Sequence, residues 1–190
     1  PQDRLEQMLV DTRPMSETPA KDVVLRGSGW GELEGKRRKL AGEKPGFLPS
    51  IAFDDSDLGP EQAPWVALME TGAMPEVDPV DPPVTFMAQP EWQAMLEQAV
   101  AGPSATNWFA WFQLGTMQYK ADPEAARAAW EKSLELAPNA WAMRNMAYYW
   151  YHLKDLPTAA DCWMKAHELA PAQLQLAKEC IKGMVWTGRF

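Results

Sequence analysis

Trp130-Glu-Lys-Ser-Leu-Glu-Leu-Ala-Pro138 returns 33 residues later as Trp163-Met-Lys-Ala-His-Glu-Leu-Ala-Pro171, with Trp, Lys, Glu, Leu, Ala and Pro in register. A period in the low thirties belongs to helical units that cannot bury their apolar face alone and must stack on neighbours. The echo also runs upstream, because Ala126 and Ala159 keep the same offset and supply small residues where helix axes approach closely. The expected fold is therefore all-α, a short solenoid of helical hairpins whose paired tryptophans pack between units.

Local signals set the units. Pro90 suits a first helical turn, and Trp92, Met95, Leu96, Ala99 and Val100 follow at helical spacing until Gly102-Pro103, giving a leading helix over 89–102. Unit one covers 104–138. Ser104 or Thr106 is its expected first cap, Trp108, Trp111, Phe112, Gly115 and Tyr119 form the stripe of its first helix, and Asp122-Pro123 opens its second. Unit two covers 139–171, with Asn139 and Asp155 as caps, and a final or capping helix occupies 172–190.

The first 88 residues differ in character. Twelve of the 17 prolines precede residue 100, and those from Pro45 to Pro90 alternate with acids and glycines, so short helices joined by extended segments are expected. Helices are predicted over Asp3 to Val10, Glu32 to Leu40 and Glu61 to Glu70, the last closed by Gly72, while Val23-Val24-Leu25 is too short to be more than a strand candidate. Trp30, Phe53, Trp65, Phe86 and Met87 are anchors that a disordered tail lacks, so this segment is expected to pack on the repeats or on a domain upstream.

The formal charge is -8, and no Lys or Arg occurs between Lys44 and Lys120, where ten acids do. That balance argues against nucleic-acid binding, which needs a cationic stripe. The cluster Lys36-Arg-Arg-Lys39 reads as a solvated helix face. The residues contain no run of about 18 apolar residues and no basic-then-apolar leader, and a chain that begins at Pro1 is expected to be a piece of a longer polypeptide. Cys162 and Cys180 fall at apolar helix positions and do not fix a compartment, and the cytoplasm is favoured.

Catalytic motifs fail on spacing. After Gly27-Ser-Gly29-Trp30-Gly31 the third glycine of a dinucleotide loop would fall at Glu32, so a turn into a helix is the main reading. The minor one is a ligand loop of Gly27, Gly29 and a stacking Trp30. Asp54 to Gly59 resembles a calcium loop without its distal carboxylate, the twelfth position from Asp55 being Val66. His152 and His167 have no nucleophile at motif spacing, and no zinc set exists. The expectation is no enzyme, no catalytic residue, no metal and no cofactor.

Trp111, Leu114, Gly115, Ala126, Trp130, Ser133 and Pro138 in unit one, and Met146, Ala147, Trp150, Ala159, Trp163, Ala166 and Pro171 in unit two, resemble the tetratricopeptide repeat. Unit one's first helix is one residue short, and Ala147 stands where glycine is usual. The resemblance implies a protein-binding scaffold whose first helices line a concave face. It places Phe109, Phe112, Tyr119, Trp141, Arg144, Tyr148, Tyr151, Lys178 and Lys182 there, a groove suited to an extended acidic peptide or to the chain's own acidic segment. Gly27 to Glu34, the Pro-rich acidic stretch and Gln89-Pro-Glu-Trp92 also resemble the later part of large bacterial repeat proteins with an upstream mutarotase-like β-sandwich of unknown function. That likeness implies a carbohydrate-binding or carbohydrate-processing parent protein.

Overall fold

Prolines, glycines and short polar caps cut the chain into eight α-helices among the residues that the computed structural model describes, 25–26, 28–44, 51–53 and 55–189. The predicted helix from Asp3 to Val10, Val23, Val24 and Gly27 lie outside them. The fold is all-α, the only strands among the described residues being a parallel pair of two residues each, β1 (Leu25–Arg26) and β2 (Ile51–Ala52). Two compact units divide the chain, Pro1–Ala63 and Pro64–Phe190.

In the first unit, helix α1 (Gly29–Leu40) starts three residues before the expected Glu32. Its glycines are there for closeness. A Cβ on Gly29 would stand 2.3 Å from the Asp57 carbonyl oxygen, and one on Gly31 would stand 2.0 Å from the Phe53 ring. The basic cluster is not the solvated face expected. Arg37 is buried, and its guanidinium forks onto Glu34 at 2.9 and 3.0 Å and onto Glu43 at 2.9 and 3.0 Å, while Lys36 meets Asp55 at 2.6 Å. A planar guanidinium satisfies two carboxylates at once, which is how a buried charge is kept. Those hydrogen bonds raise the Arg37 pKa and lower that of Glu43.

The second unit begins with α2 (Ala63–Thr71), stopped by Gly72 at φ +72°, where a side chain would be strained. Then follow α3 (Pro90–Val100), α4 (Trp108–Gln118), α5 (Pro123–Leu136), α6 (Ala140–His152), α7 (Leu156–Leu169) and α8 (Leu174–Thr187). Asp122, Asn139 and Asp155 cap as their sequence position predicts, each accepting the N–H three residues on. Helix α4 departs from expectation. Asn107 caps it, accepting from the Ala110 N–H at 3.0 Å, because Ser104 to Asn107 forms a turn first and frees the Ser104 hydroxyl for another partner.

Short turns fold α4 against α5 and α6 against α7, and α3 and α8 pack at the two ends of this stack. The echoed tryptophans are in the core, Trp130 at 2% exposure and Trp163 at 1%. A Cβ on Gly115 of α4 would lie 2.6 Å from the Trp130 ring, and one on Gly183 of α8 would lie 2.2 Å from the Trp163 ring. Each indole thus lies flat on a bare stretch of helix. Ala126 and Ala159 are fully buried, as their spacing suggested.

Ser133 takes the place of a small apolar residue and turns it into a link. Its hydroxyl donates to the Trp108 carbonyl at 2.9 Å and accepts from Asn139 Nδ2 at 3.1 Å, while Asn139 Oδ1 accepts from the Ala142 N–H at 2.7 Å. One side chain therefore caps α6 and ties it to α5. Asn139→Ala is expected to cost about 2 kcal/mol, the loss of a cap plus a buried hydroxyl short of a partner. Urea denaturation checks this, and a change below about 0.5 kcal/mol would leave the link without energetic weight.

Candidate functional site

Residues 73–88 run as an extended strap between α2 and α3, because prolines 75, 79, 82 and 83 forbid regular helix there. The strap lies along the first helices of the repeats and is held mainly by its backbone. The Met74 N–H donates to Ser104 Oγ at 2.9 Å. Asn107 Nδ2 donates to the carbonyls of Met74 at 3.1 Å and Pro75 at 3.0 Å. Trp108 Nε1 reaches the Val77 carbonyl at 2.9 Å, and Gln113 Nε2 reaches that of Val84 at 3.1 Å. From α2, Trp65 Nε1 donates to the Thr85 carbonyl at 3.0 Å. Met74 and Met87 are buried and pin the two ends.

At its midpoint the strap turns, with the Asp81 N–H donating to the Asp78 carbonyl and the Val80 N–H to the Asp78 carboxylate, both at 3.0 Å. Pro82 and Pro83 then line, with Phe112 and Trp141, a cavity of about 190 Å³. A second cavity of about 290 Å³ is walled by Phe86, Tyr119, Trp130, Tyr148 and His152, with Thr116, Asn145 and Arg144 at its polar edge. Phe86 is 46% exposed at this wall. The polar edge is internally matched: Asn145 donates to Thr116 at 3.2 Å, Arg144 to Asn145 at 3.1 Å, and Tyr119 OH meets His152 Nδ1 at 2.6 Å. Such walls suit apolar or aromatic groups.

The charges are arranged differently from the sequence expectation. Arg144 does not wait for a carboxylate of a peptide. It donates to both oxygens of Glu179 on α8, at 2.6 and 3.1 Å, and its Cζ stands 5.0 Å from the centre of the Tyr148 ring. Gln175 donates to the same carboxylate at 2.8 Å. Burial pushes the Glu179 carboxyl up, but the hydrogen bonds from Arg144 and Gln175 outweigh it and hold the group below the usual carboxylate range. No ion pair joins Asp78 or Asp81 to the groove among the described residues, and both side chains are exposed.

Of the predicted groove residues, Phe112, Tyr119, Trp141, Arg144 and Tyr148 line the two cavities. Phe109 is fully buried, stacked on Phe112 and edge-on to Trp108, and lines neither of these two cavities. Tyr151 packs instead on Trp163 and Trp186, with Lys154 above its ring. Lys178 and Lys182 are exposed on α8, without an ion pair among the described residues. In the suggested ligand loop, Gly29 opens α1 and Trp30 is half-buried. The packing of Asp57 and Phe53 accounts for Gly29 and Gly31.

The chain matches no family model and no curated protein. Site residues therefore rest on geometry. Sequence reasoning missed Asn107, Gln113 and Glu179. A signal existed for one: Gln113 is a lone amide in the apolar run Trp108-Phe-Ala-Trp-Phe-Gln-Leu-Gly115, and a fully buried amide needs a partner. No group of three or more His, Cys, Asp or Glu that could hold a metal ion occurs among the described residues, and none of their helices is long and apolar enough to cross a membrane.

Proposed function

We propose that the chain is a protein-interaction scaffold of tetratricopeptide type, whose first helices form a peptide groove with residues 74–85 as its resident occupant. The supporting observation is that side-chain N–H groups of Asn107, Trp108 and Gln113 hold the carbonyls of Met74, Pro75, Val77 and Val84. Binding through main-chain carbonyls is how a groove grips an extended segment while side pockets select its residues. Held this way, the strap is a built-in ligand that any partner of the groove must displace.

The test removes donors and keeps shape. In the full chain, Trp108→Phe with Gln113→Leu deletes two hydrogen bonds to the strap, each contributing about 1 kcal/mol. A glutamate-specific protease is expected to cut after the exposed Glu76 roughly thirtyfold faster than in the unaltered chain, since about 1.4 kcal/mol is a factor of ten. An unchanged cleavage rate would show that the strap is not held by these donors.

A further inference from the structure

The strap shows what the groove selects. Prolines 75, 79, 82 and 83 carry no N–H, so the extended backbone of this segment offers more acceptors than donors. The groove answers mainly with donors, Ser104 Oγ accepting the Met74 N–H. Trp108 Nε1 can only donate, and the amides of Asn107 and Gln113 are turned with their nitrogens toward strap carbonyls. Pro82 and Pro83 line one cavity together with the aromatic rings of Phe112 and Trp141. Charge enters at one point, where the Glu76 carboxylate accepts a long 3.3 Å hydrogen bond from the same Asn107 Nδ2 that holds two carbonyls, whereas Asp78 and Asp81 are exposed, the Asp78 carboxylate serves the strap's own turn, and Arg144 is engaged by Glu179.

We infer that the partner this groove takes in trans is a proline-rich, N–H-poor extended segment of another protein, chosen for its carbonyls and prolines rather than its acidity. The inference rests on the reading of the strap as the groove's resident occupant. Such a segment competes with a strap tethered at both ends. A short tether gives effective concentrations in the millimolar range, so a free segment gains the groove only where the strap is weakened or where the partner binds at a second point.

The experiment uses the full chain and a labelled peptide of residues 73–88. Pro82→Gly with Pro83→Gly loosens the strap without touching the helices, both residues standing at the surface or half-buried. The peptide is expected to bind this variant at least tenfold tighter than it binds the unaltered chain. A peptide with Glu76, Asp78 and Asp81 neutralised is expected to bind within threefold of the parent peptide, and one with its prolines replaced by alanine at least tenfold more weakly. A tenfold loss on neutralising the acids would overturn the inference in favour of an acidic partner. Equal binding of the alanine peptide, or no binding of any peptide to the loosened chain, would overturn it outright. Faster protease cleavage in the Trp108→Phe, Gln113→Leu chain together with absent peptide binding would leave the strap in its groove and remove only the partner in trans.

Discussion

Trp163→Ala is expected to lower the stability of residues 64–190 by about 3–5 kcal/mol, the range for deleting a large aromatic from a core. The indole is 1% exposed and packs on Ala147 and Ala159, on the rings of Tyr148, Tyr151 and Trp186, and on the bare helix at Gly183. Its removal opens a cavity where α6, α7 and α8 meet, and α8, the end helix of the stack, should lose its protection first. In a stack where each unit touches only its neighbours, such damage stays local before it spreads. Hydrogen exchange is the discriminating measurement: amides of α8 should exchange faster than those of α4 and α5. Uniform acceleration along all helices would mean that the stack unfolds as one block. Trp163→Phe should cost far less, about 1–2 kcal/mol, because the buried indole N–H has no acceptor among the described residues and leaves together with the second ring.

Glu179→Ala is expected to be the second largest loss, about 2 kcal/mol. Removing one partner of a buried ion pair leaves the other charge uncompensated, at about 3–5 kcal/mol when both are fully buried. Arg144 keeps 37% of its side-chain surface in water, against 8% for Glu179, so the penalty is smaller here. The sign of the pH effect follows from the lowered carboxyl. A group whose folded pKa lies below its unfolded value stabilises above the unfolded value, about 4.3 for glutamate, and that stability fades as pH falls through the folded value. Denaturation followed from about pH 6 to pH 3 should therefore show a shallower acid loss in Glu179→Gln than in the unaltered chain. Identical slopes would show that Glu179 titrates alike in the folded and unfolded chain.

Much of the helical framework was legible because its signals are local. Asp122-Pro123, Asn139 and Asp155 announced helix starts through caps that act over three residues, and each does so in the structure. The one misplaced cap, Asn107 in place of Ser104 or Thr106, had a tertiary cause: Ser104 is drawn off by the Met74 N–H, 30 residues away. The groove was legible only in part, since Phe109 and Phe112 lie three apart on one helix and spacing alone did not say which of them lines a cavity.

The sequence by itself determined which segments are helical, the caps at Asp122, Asn139 and Asp155, which small residues lie between helices, and that the Pro-rich stretch before Pro90 holds extended segments. Proline count, cap chemistry and the 33-residue echo suffice for that, each acting within a few residues or by repetition. Only the tertiary structure decided where the strap lies, that it is held mainly by its carbonyls, with Glu76 the one acid among the described residues that touches Asn107, and that Arg144 belongs to Glu179, 35 residues on. The physical reason is that a proline fixes a segment's shape but not its address, and a charge does not specify its partner. Both are settled when packed helices bring donors and acceptors from distant parts of the chain within hydrogen-bonding reach.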